Sequence, residues 1–476
     1  MPIALLLFSF FRPPVAALLT LLGATMFLPS ALGIDPPALP PMGKEEFASL
    51  GCLLGMLLFA RPHLQRARLG RGPEILVVVM AIGAIFSVVN NEDRLAFGPT
   101  IVPGTSGTDF LADVIRLVLR WGVPFVAGRA LFTRGRDVRT LLSILVAAGL
   151  VYSLLILVEL RLSPQLHRWT YGYHQHSFSQ TIRDGGYRPM VYMQHGLHVS
   201  LFIALCTMAG ATLSRMRVPS FRLPTAPVTA WLGLILVLCK SVGSVVYGIL
   251  TLPLLLMGSA RLQCLVASVL AGVVVAYPML RALDWIPVDT VVSHAEETFG
   301  EKRAHSLSAR LVNERDVLER SRERIWFGWN NGGRSMIRDP ISGKPRTTFD
   351  GYWVISIGDG GLVRWGCVFG MVLWPIFTAL RRLPRIRGRG HRRLVGGLSL
   401  IVAISMFDLL PNATIEGYQT LFSGALAGVV PGILVEERRA RRRAQQRRAA
   451  AAAPSTSPGD RSAAPSAPPG DAGAPR

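Results

Sequence analysis

The sequence is short of charge. Charged residues fill 17% of its 476 positions, against roughly 25% in soluble domains. Acids are scarcest: 29 Asp and Glu face 51 Lys and Arg, for a formal net charge of +22. Half the residues are hydrophobic and the mean hydropathy is +0.39. An ordinary soluble enzyme is excluded, and so is disorder over most of the length, because disorder requires low hydrophobicity. Taken alone, +22 would suggest nucleic acid. The apolar half argues instead for a membrane, where basic residues set orientation.

Cysteine is also scarce. Cys52, Cys206, Cys239, Cys264 and Cys367 all sit in or beside apolar stretches and form no C-x-x-C pair. They read as small buried hydrophobes, not as a disulfide framework or metal site. His174 and His176 have neither helical nor finger-type zinc spacing. Soluble catalytic motifs are missing: there is no P-loop, no G-x-G-x-x-G, no H-E-x-x-H and no G-x-S-x-G. Met1 to Ser30 lacks a basic leader and an A-x-A-like cleavage site, and reads as a retained first span.

What is present is a series of apolar runs. A transmembrane helix needs about 20 mostly apolar residues. Twelve segments qualify as candidates: 13–33, 46–60, 74–90, 110–132, 140–160, 196–213, 226–240, 242–258, 263–281, 351–380, 394–410 and 417–435. Arginine clusters at 61–71, 134–139, 215–222, 381–393 and 438–448 fall on alternate connections, with Arg261 on the same side. By the positive-inside rule this places both termini in the cytoplasm. Two outer loops depart from that pattern. Residues 161–195 carry Arg161, Arg168, Arg183 and Arg188 with His167, His174, His176 and His195, and 282–350 is the longest polar stretch between candidate spans. Loops of such length are usually functional or disordered. Their Arg, His, Trp and Tyr content favours function.

Within the large loop, Leu307, Leu311, Leu318 and Ile325 share one helical face over 304–325, accompanied by Arg310, Arg315, Arg320, Arg322 and Arg324. A turn at 328–333 follows, rich in Gly and Asn. Gly358-Asp359-Gly360-Gly361 lies in an apolar span and reads as a kink or close-packing point. The tail from Ala449 to Arg476, rich in Ala, Pro and Ser, is expected to be disordered.

Three pieces together resemble the O-antigen ligase and polysaccharide polymerase superfamily of bacterial envelope glycosyltransferases. They are Gly186-Tyr187-Arg188-Pro189-Met190 to Gln194-His195-Gly196-Leu197; Ser308-Ala309-Arg310-Leu311 to Ile325-Trp326-Phe327-Gly328-Trp329-Asn330; and Phe349-Asp350-Gly351-Tyr352-Trp353 to Gly358-Asp359-Gly360-Gly361-Leu362-Val363. The third departs from lipopolysaccharide ligases, which typically show His-Asn where Asp350-Gly351 stands here, and so leans towards polymerases.

The resemblance implies an all-α polytopic membrane protein, GT-C-like, with about twelve transmembrane helices. Helices one to nine would occupy 1–281, including outer loop 161–195. A large partly helical periplasmic loop would fill 282–350, three more helices 351–437, and a basic then disordered cytoplasmic tail 438–476. It implies a bacterial inner-membrane enzyme. The donor would be a glycan on undecaprenyl diphosphate, the acceptor another glycan, with the lipid bilayer and chain-length-regulator or flippase proteins as partners, and no nucleic acid. Arg188, Arg310 and Lys240 would hold the donor diphosphate, since guanidinium binds phosphate oxygens in pairs. No cofactor is expected, because arginines replace a metal. Asp350 and His195 are candidate bases for the acceptor hydroxyl. Trp326, Trp329, Tyr352 and Trp353 would stack on sugars. Plainer roles stand beside these. Asp350 can cap the following helix, Lys240 can snorkel, and the tryptophans can form an interface belt. A ligase transferring glycan to lipid A-core and a polyprenyl-glycan flippase or other twelve-span transporter are the alternative functions.

Overall fold

The computed structural model describes residues 1–31, 33–35, 41–183, 185–283, 285–330, 333–347 and 349–452. Of the described residues 72% are helical, and almost none lie in sheet. In chain order the helices are α1 (Pro2–Phe10), α2 (Pro13–Phe27), α3 (Lys44–Phe59), α4 (Arg61–Arg66), α5 (Ile75–Val89), α6 (Gly107–Leu117), α7 (Val123–Leu131), α8 (Gly135–Leu162) and α9 (Leu166–Tyr171). They continue with α10 (Gly196–Arg215), α11 (Thr225–Leu238), α12 (Val242–Met257), α13 (Ala260–Ala282), α14 (Val288–Phe299), α15 (Glu301–Arg322), α16 (Tyr352–Arg382), α17 (Arg389–Phe407) and α18 (Gly417–Ala452). Among the described residues three short antiparallel strand pairs, one of them pairing Ile182–Arg183 with Gly186–Tyr187, lie in the connections.

Each of the twelve expected apolar segments is helical over most of its length. Five helices, α8, α10, α13, α16 and α18, are long and apolar enough to cross a membrane. Four more, α2, α5, α11 and α12, are apolar but shorter. The first apolar stretch is not one helix. Arg12 and Pro13 separate α1 from α2, because proline at N1 starts a helix while lacking the N–H that would continue the previous one. Residues 453–476, most of the expected disordered tail, lie outside the described residues, as do Asn331 and Gly332 of the expected turn.

Helix α10 is the hub. Every residue from His198 to Leu213 is buried, and α8, α11, α12 and α17 pack around it. A helix apolar on all sides belongs inside a bundle. Its position fixes the site, because its N-terminus is where Arg188 and His195 gather. Elsewhere in the bundle, glycine lets α18 touch α7 and the residues just after it backbone to backbone. Cβ atoms at Gly424, Gly428 and Gly432 would strike the carbonyls of Phe125, Arg129 and Thr133, which is the small-residue stripe of membrane helix pairs.

Helix α16 is broken at Gly361, where φ is 64° and ψ −169°. Into the break docks the chain that leaves α15. Trp329 N–H donates to Gly358 O and Asn330 N–H to Asp359 O, both at 2.8 Å. In the other direction Leu362 N–H donates to Ile325 O at 2.8 Å and Val363 N–H to Trp326 O at 3.2 Å. The kink read from the glycine cluster is thus a socket for the large loop. A second clasp comes from the 91–105 connection. Arg334 reaches Asn91 Oδ1, Pro103 O and Asp93 Oδ1, and Asn91 Nδ2 donates to Gly328 O at 3.0 Å.

Candidate functional site

The site is built where the 161–195 loop meets the N-terminus of α10. Three backbone N–H groups, of Leu166, Met190 and Val191, donate to the carboxylate of Glu159 at 3.2, 2.8 and 2.8 Å. This ties the chain immediately after Arg188 to the end of α8. Arg188 N–H also donates to Thr181 O at 2.7 Å. The guanidinium is thereby laid across Gly196, where a Cβ would sit 2.7 Å from Arg188 Cδ. Only a glycine at the first turn of α10 leaves room for it.

Arg188 is 2% exposed, and its Nε and Nη2 are buried without a hydrogen-bond partner. Burial, with the neighbouring charges of Arg183 and Arg310, lowers its pKa to about 10. A buried cation facing other cations is costly unless an anion joins it. Several arginines of the 282–350 loop contrast with it. Arg334 and Arg324 pair with Asp93, Arg320 with Glu323, and Arg346 with Asp339. These charges serve the loop's own structure, so positive charge on this face does not by itself call for a ligand; the unpaired Arg188 does.

His195 caps α10. Its Nδ1 accepts from Leu197 N–H at 3.1 Å and Nε2 lies 3.2 Å from Gln180 Oε1. Burial, then the charge of Arg188 and nearby His176 and His198, pushes its pKa down to about 4. The ring is neutral at pH 7, with Nδ1 bare and Nε2 protonated, the tautomer these two contacts require. Both nitrogens are occupied, so in this arrangement His195 orients its neighbours and has no free lone pair for a proton. His198, one turn deeper, points Nδ1 at Glu416 Oε1 at 3.6 Å. Glu416 also accepts from Thr25 Oγ1 at 3.0 Å and lies 4.0 Å from Lys44 Nζ.

Lys240 occupies the break between α11 and α12 at φ 52°. Its Nζ donates to Arg183 O at 3.0 Å, holding the paired strands Ile182–Arg183 and Gly186–Tyr187 over the site. Arg310 and Asp350 face each other, Nε to Oδ2 3.7 Å, each about a third exposed. Helix α15 is set against α13 by a buried polar knot. Glu314 takes Tyr277 OH at 2.9 Å and Arg281 Nε at 3.3 Å, while Arg281 Nη2 reaches Leu311 O at 2.9 Å. Glu314 lies one helical turn after Arg310, so this knot also fixes where Arg310 points. The carboxylate pKa is raised, chiefly by burial, with Asp350 adding to the rise.

The aromatic candidates separate. Trp326 is 63% exposed and offers a ring face. Trp329 is buried, with Arg320 and Arg324 over its ring at 3.5 and 4.2 Å and its Nε1 donating to Arg320 O. Trp353 is fully buried, edge-on to Tyr277. Tyr352 is half-buried against Trp121 and Phe369. The structure therefore brings Arg188, His195 and Lys240 together around one loop and sets Arg310 against Asp350, while Trp329 and Trp353 serve packing.

Sequence reasoning missed Glu159, Glu314, Arg281 and Glu416. An isolated acid in or beside an apolar run was the available signal, since charge there needs a partner. Among the described residues no group of His, Cys, Asp and Glu is arranged to hold a metal ion. No protein-family model matches the chain, and no curated protein sequence matches it.

Proposed function

We propose that the chain is an integral membrane glycosyltransferase that polymerises undecaprenyl-diphosphate-linked repeat units into surface or exported polysaccharide. The observation that carries the reading is the buried guanidinium of Arg188, unpaired at Nε and Nη2, under the electrostatic influence of Arg310. A diphosphate leaving group supplies the missing anion. The motif resemblance gives it the lipid carrier. In this reading the chain crosses the inner membrane twelve times, with both termini on the cytoplasmic side and the Arg188 face towards the periplasm.

The reaction follows from the arrangement. The acceptor hydroxyl oxygen attacks the anomeric carbon of the donor. The bond from that carbon to the diphosphate oxygen breaks, and its electron pair leaves with the lipid diphosphate. Arg188 and Arg310 take up the charge that develops there. Asp350 accepts the hydroxyl proton. Lys240 holds the paired strands over the site, His195 fixes the first turn of α10, and Trp326 offers a face to a sugar ring. The Asp350-Gly351 pair, where ligases show His-Asn, favours polymerase over ligase.

The test is complementation of a deletion strain, read on a carbohydrate gel with analysis of lipid-linked glycans. Asp350→Asn is expected to lower long polymer by about a hundred-fold or more and to accumulate single lipid-linked repeats. His195→Asn, which keeps a capping side chain, is expected to stay within about ten-fold of wild type. Normal polymer from Asp350→Asn sinks the assignment. Finished polymer stranded on the carrier lipid instead of single repeats points to a ligase. Flipping of lipid-linked glycan by reconstituted vesicles without bond formation points to a transporter.

A further inference from the structure

A second cluster of arginines lies at the other end of the bundle. Arg188 and His195 sit at the N-terminus of α10, while Arg215 ends the same helix after 20 residues, about 30 Å away. There a cleft of about 310 Å³ opens between the C-termini of α10 and α12 and the N-termini of α13 and α17. Arg215, Arg261, Arg389, Arg392 and Arg393 line it.

Among the described residues none of these five forms an ion pair with a carboxylate. Arg392 Nε is buried without a partner. Arg393 Nη1 is spent on Arg215 O at 3.1 Å, which braces the cleft wall. Glu437 is already engaged by His391 Nδ1 and by the N–H groups of Arg387 and Gly388. The first turn of α13, capped by Ser259 Oγ on Leu262 N–H at 3.2 Å, adds backbone donors on the cleft floor.

The surroundings say what kind of anion fits. Met257 at the rim is 80% exposed. Leu262, Leu265, Val269 and Val273 of α13 are 41–58% exposed, and their spacing of three and four puts them on one stripe running away from the cleft. Free phosphate has no use for such a stripe, whereas acyl chains do. We propose that this cleft binds the headgroup of an anionic phospholipid in the leaflet opposite the Arg188 site, with its acyl chains along α13. Five guanidinium groups suit a headgroup with two phosphates better than one with a single phosphate. The site is independent of the glycosyltransferase reading and stands if that reading fails.

The experiment uses the full-length protein in nanodiscs of phosphatidylcholine alone, or with phosphatidylglycerol or diphosphatidylglycerol at equal phosphate. Melting temperature and retained lipid by native mass spectrometry are measured. Diphosphatidylglycerol is expected to raise the melting temperature and to be retained preferentially. Arg389→Gln with Arg392→Gln is expected to weaken retention about twenty-five-fold, at about five-fold per arginine. Its melting temperature in phosphatidylcholine serves as the folding check. Should that variant not fold, Arg261→Gln alone is expected to weaken retention about five-fold. Arg442→Gln with Arg443→Gln, exposed on the extension of α18, is expected to change nothing. Equal stabilisation by millimolar inorganic phosphate or diphosphate in phosphatidylcholine, or unchanged retention in the folded cleft variants, overturns the proposal.

Discussion

Arg188→Met is expected to abolish polymer formation and, in the same purified protein, to raise the melting temperature. The two halves of this result have one cause. Arg188 is buried at 2% exposure with two unpaired nitrogens, and Arg183 and Arg310 work against its charge. A buried charge without a partner costs on the order of several kcal/mol, and an apolar side chain of similar size removes that cost. If the guanidinium exists to meet a diphosphate, removing it costs about a thousand-fold or more in transfer, in the range seen for charge-stabilising donors. Arg188→Lys keeps a point charge but loses the paired donor geometry, and is expected to fall between the two. Polymer on a carbohydrate gel and a thermal melt in detergent read the two halves separately. A melting temperature that drops with Arg188→Met gives the side chain a structural role. Activity at wild-type level from the same variant removes it from the donor site.

The helices were legible because long apolar runs leave the backbone few alternatives in a low-dielectric surrounding. The ends of α10 and α16 were legible too, since Arg188, His195 and Asp350 cluster just outside them. The pairing of charges was not. Arg364 meets Asp113 across a sequence separation of 251, and Arg120 meets Glu45 at 3.0 Å from another helix. Nothing local in either sequence neighbourhood announces the partner. The same holds for the tryptophans. Trp326 and Trp329 are three residues apart in one motif, yet one is 63% exposed and the other 3%. What separates them is the docking of this segment into the broken α16, a tertiary event. The arginines of the large loop look alike in sequence, and only their partners sort Arg334, held by three groups, from Arg310, which faces Asp350.

Glu159 shows how much an inconspicuous residue can matter. In sequence it is one acid near the end of an apolar run. In the fold it is 1% exposed and its carboxylate holds the N–H groups of Leu166, Met190 and Val191. Two of those bonds satisfy the buried N–H groups of Met190 and Val191, and a buried donor left unsatisfied would cost about 1–3 kcal/mol. They also hold the residues that follow Arg188. Placement of the cation is therefore delegated to an anion that never touches the candidate donor.

Gly361→Ala is expected to do the largest structural damage of any single methyl group added to α16. The backbone at Gly361, with φ 64° and ψ −169°, lies in a region open essentially to glycine alone, and occupying it with another residue costs on the order of 1–3 kcal/mol. The added Cβ would also meet Trp326 carbonyl and sit 2.5 Å from Phe327 N. These are backbone atoms held by the bonds between 325–330 and 358–363, so they cannot swing aside as a side chain does. Relief requires undocking the chain after α15, and with it the support for Arg310. A melting temperature lower by about 5–10 °C is expected, together with faster proteolysis at Arg320 to Arg324. Gly366→Ala on the same helix is the matched control. A Cβ there meets nothing within 4 Å, and alanine is favoured over glycine inside a helix by roughly 0.5–1 kcal/mol. Equal melting temperatures for the two variants would mean that the socket in α16 does not hold the large loop, and that Arg310 is positioned by the Glu314 knot alone.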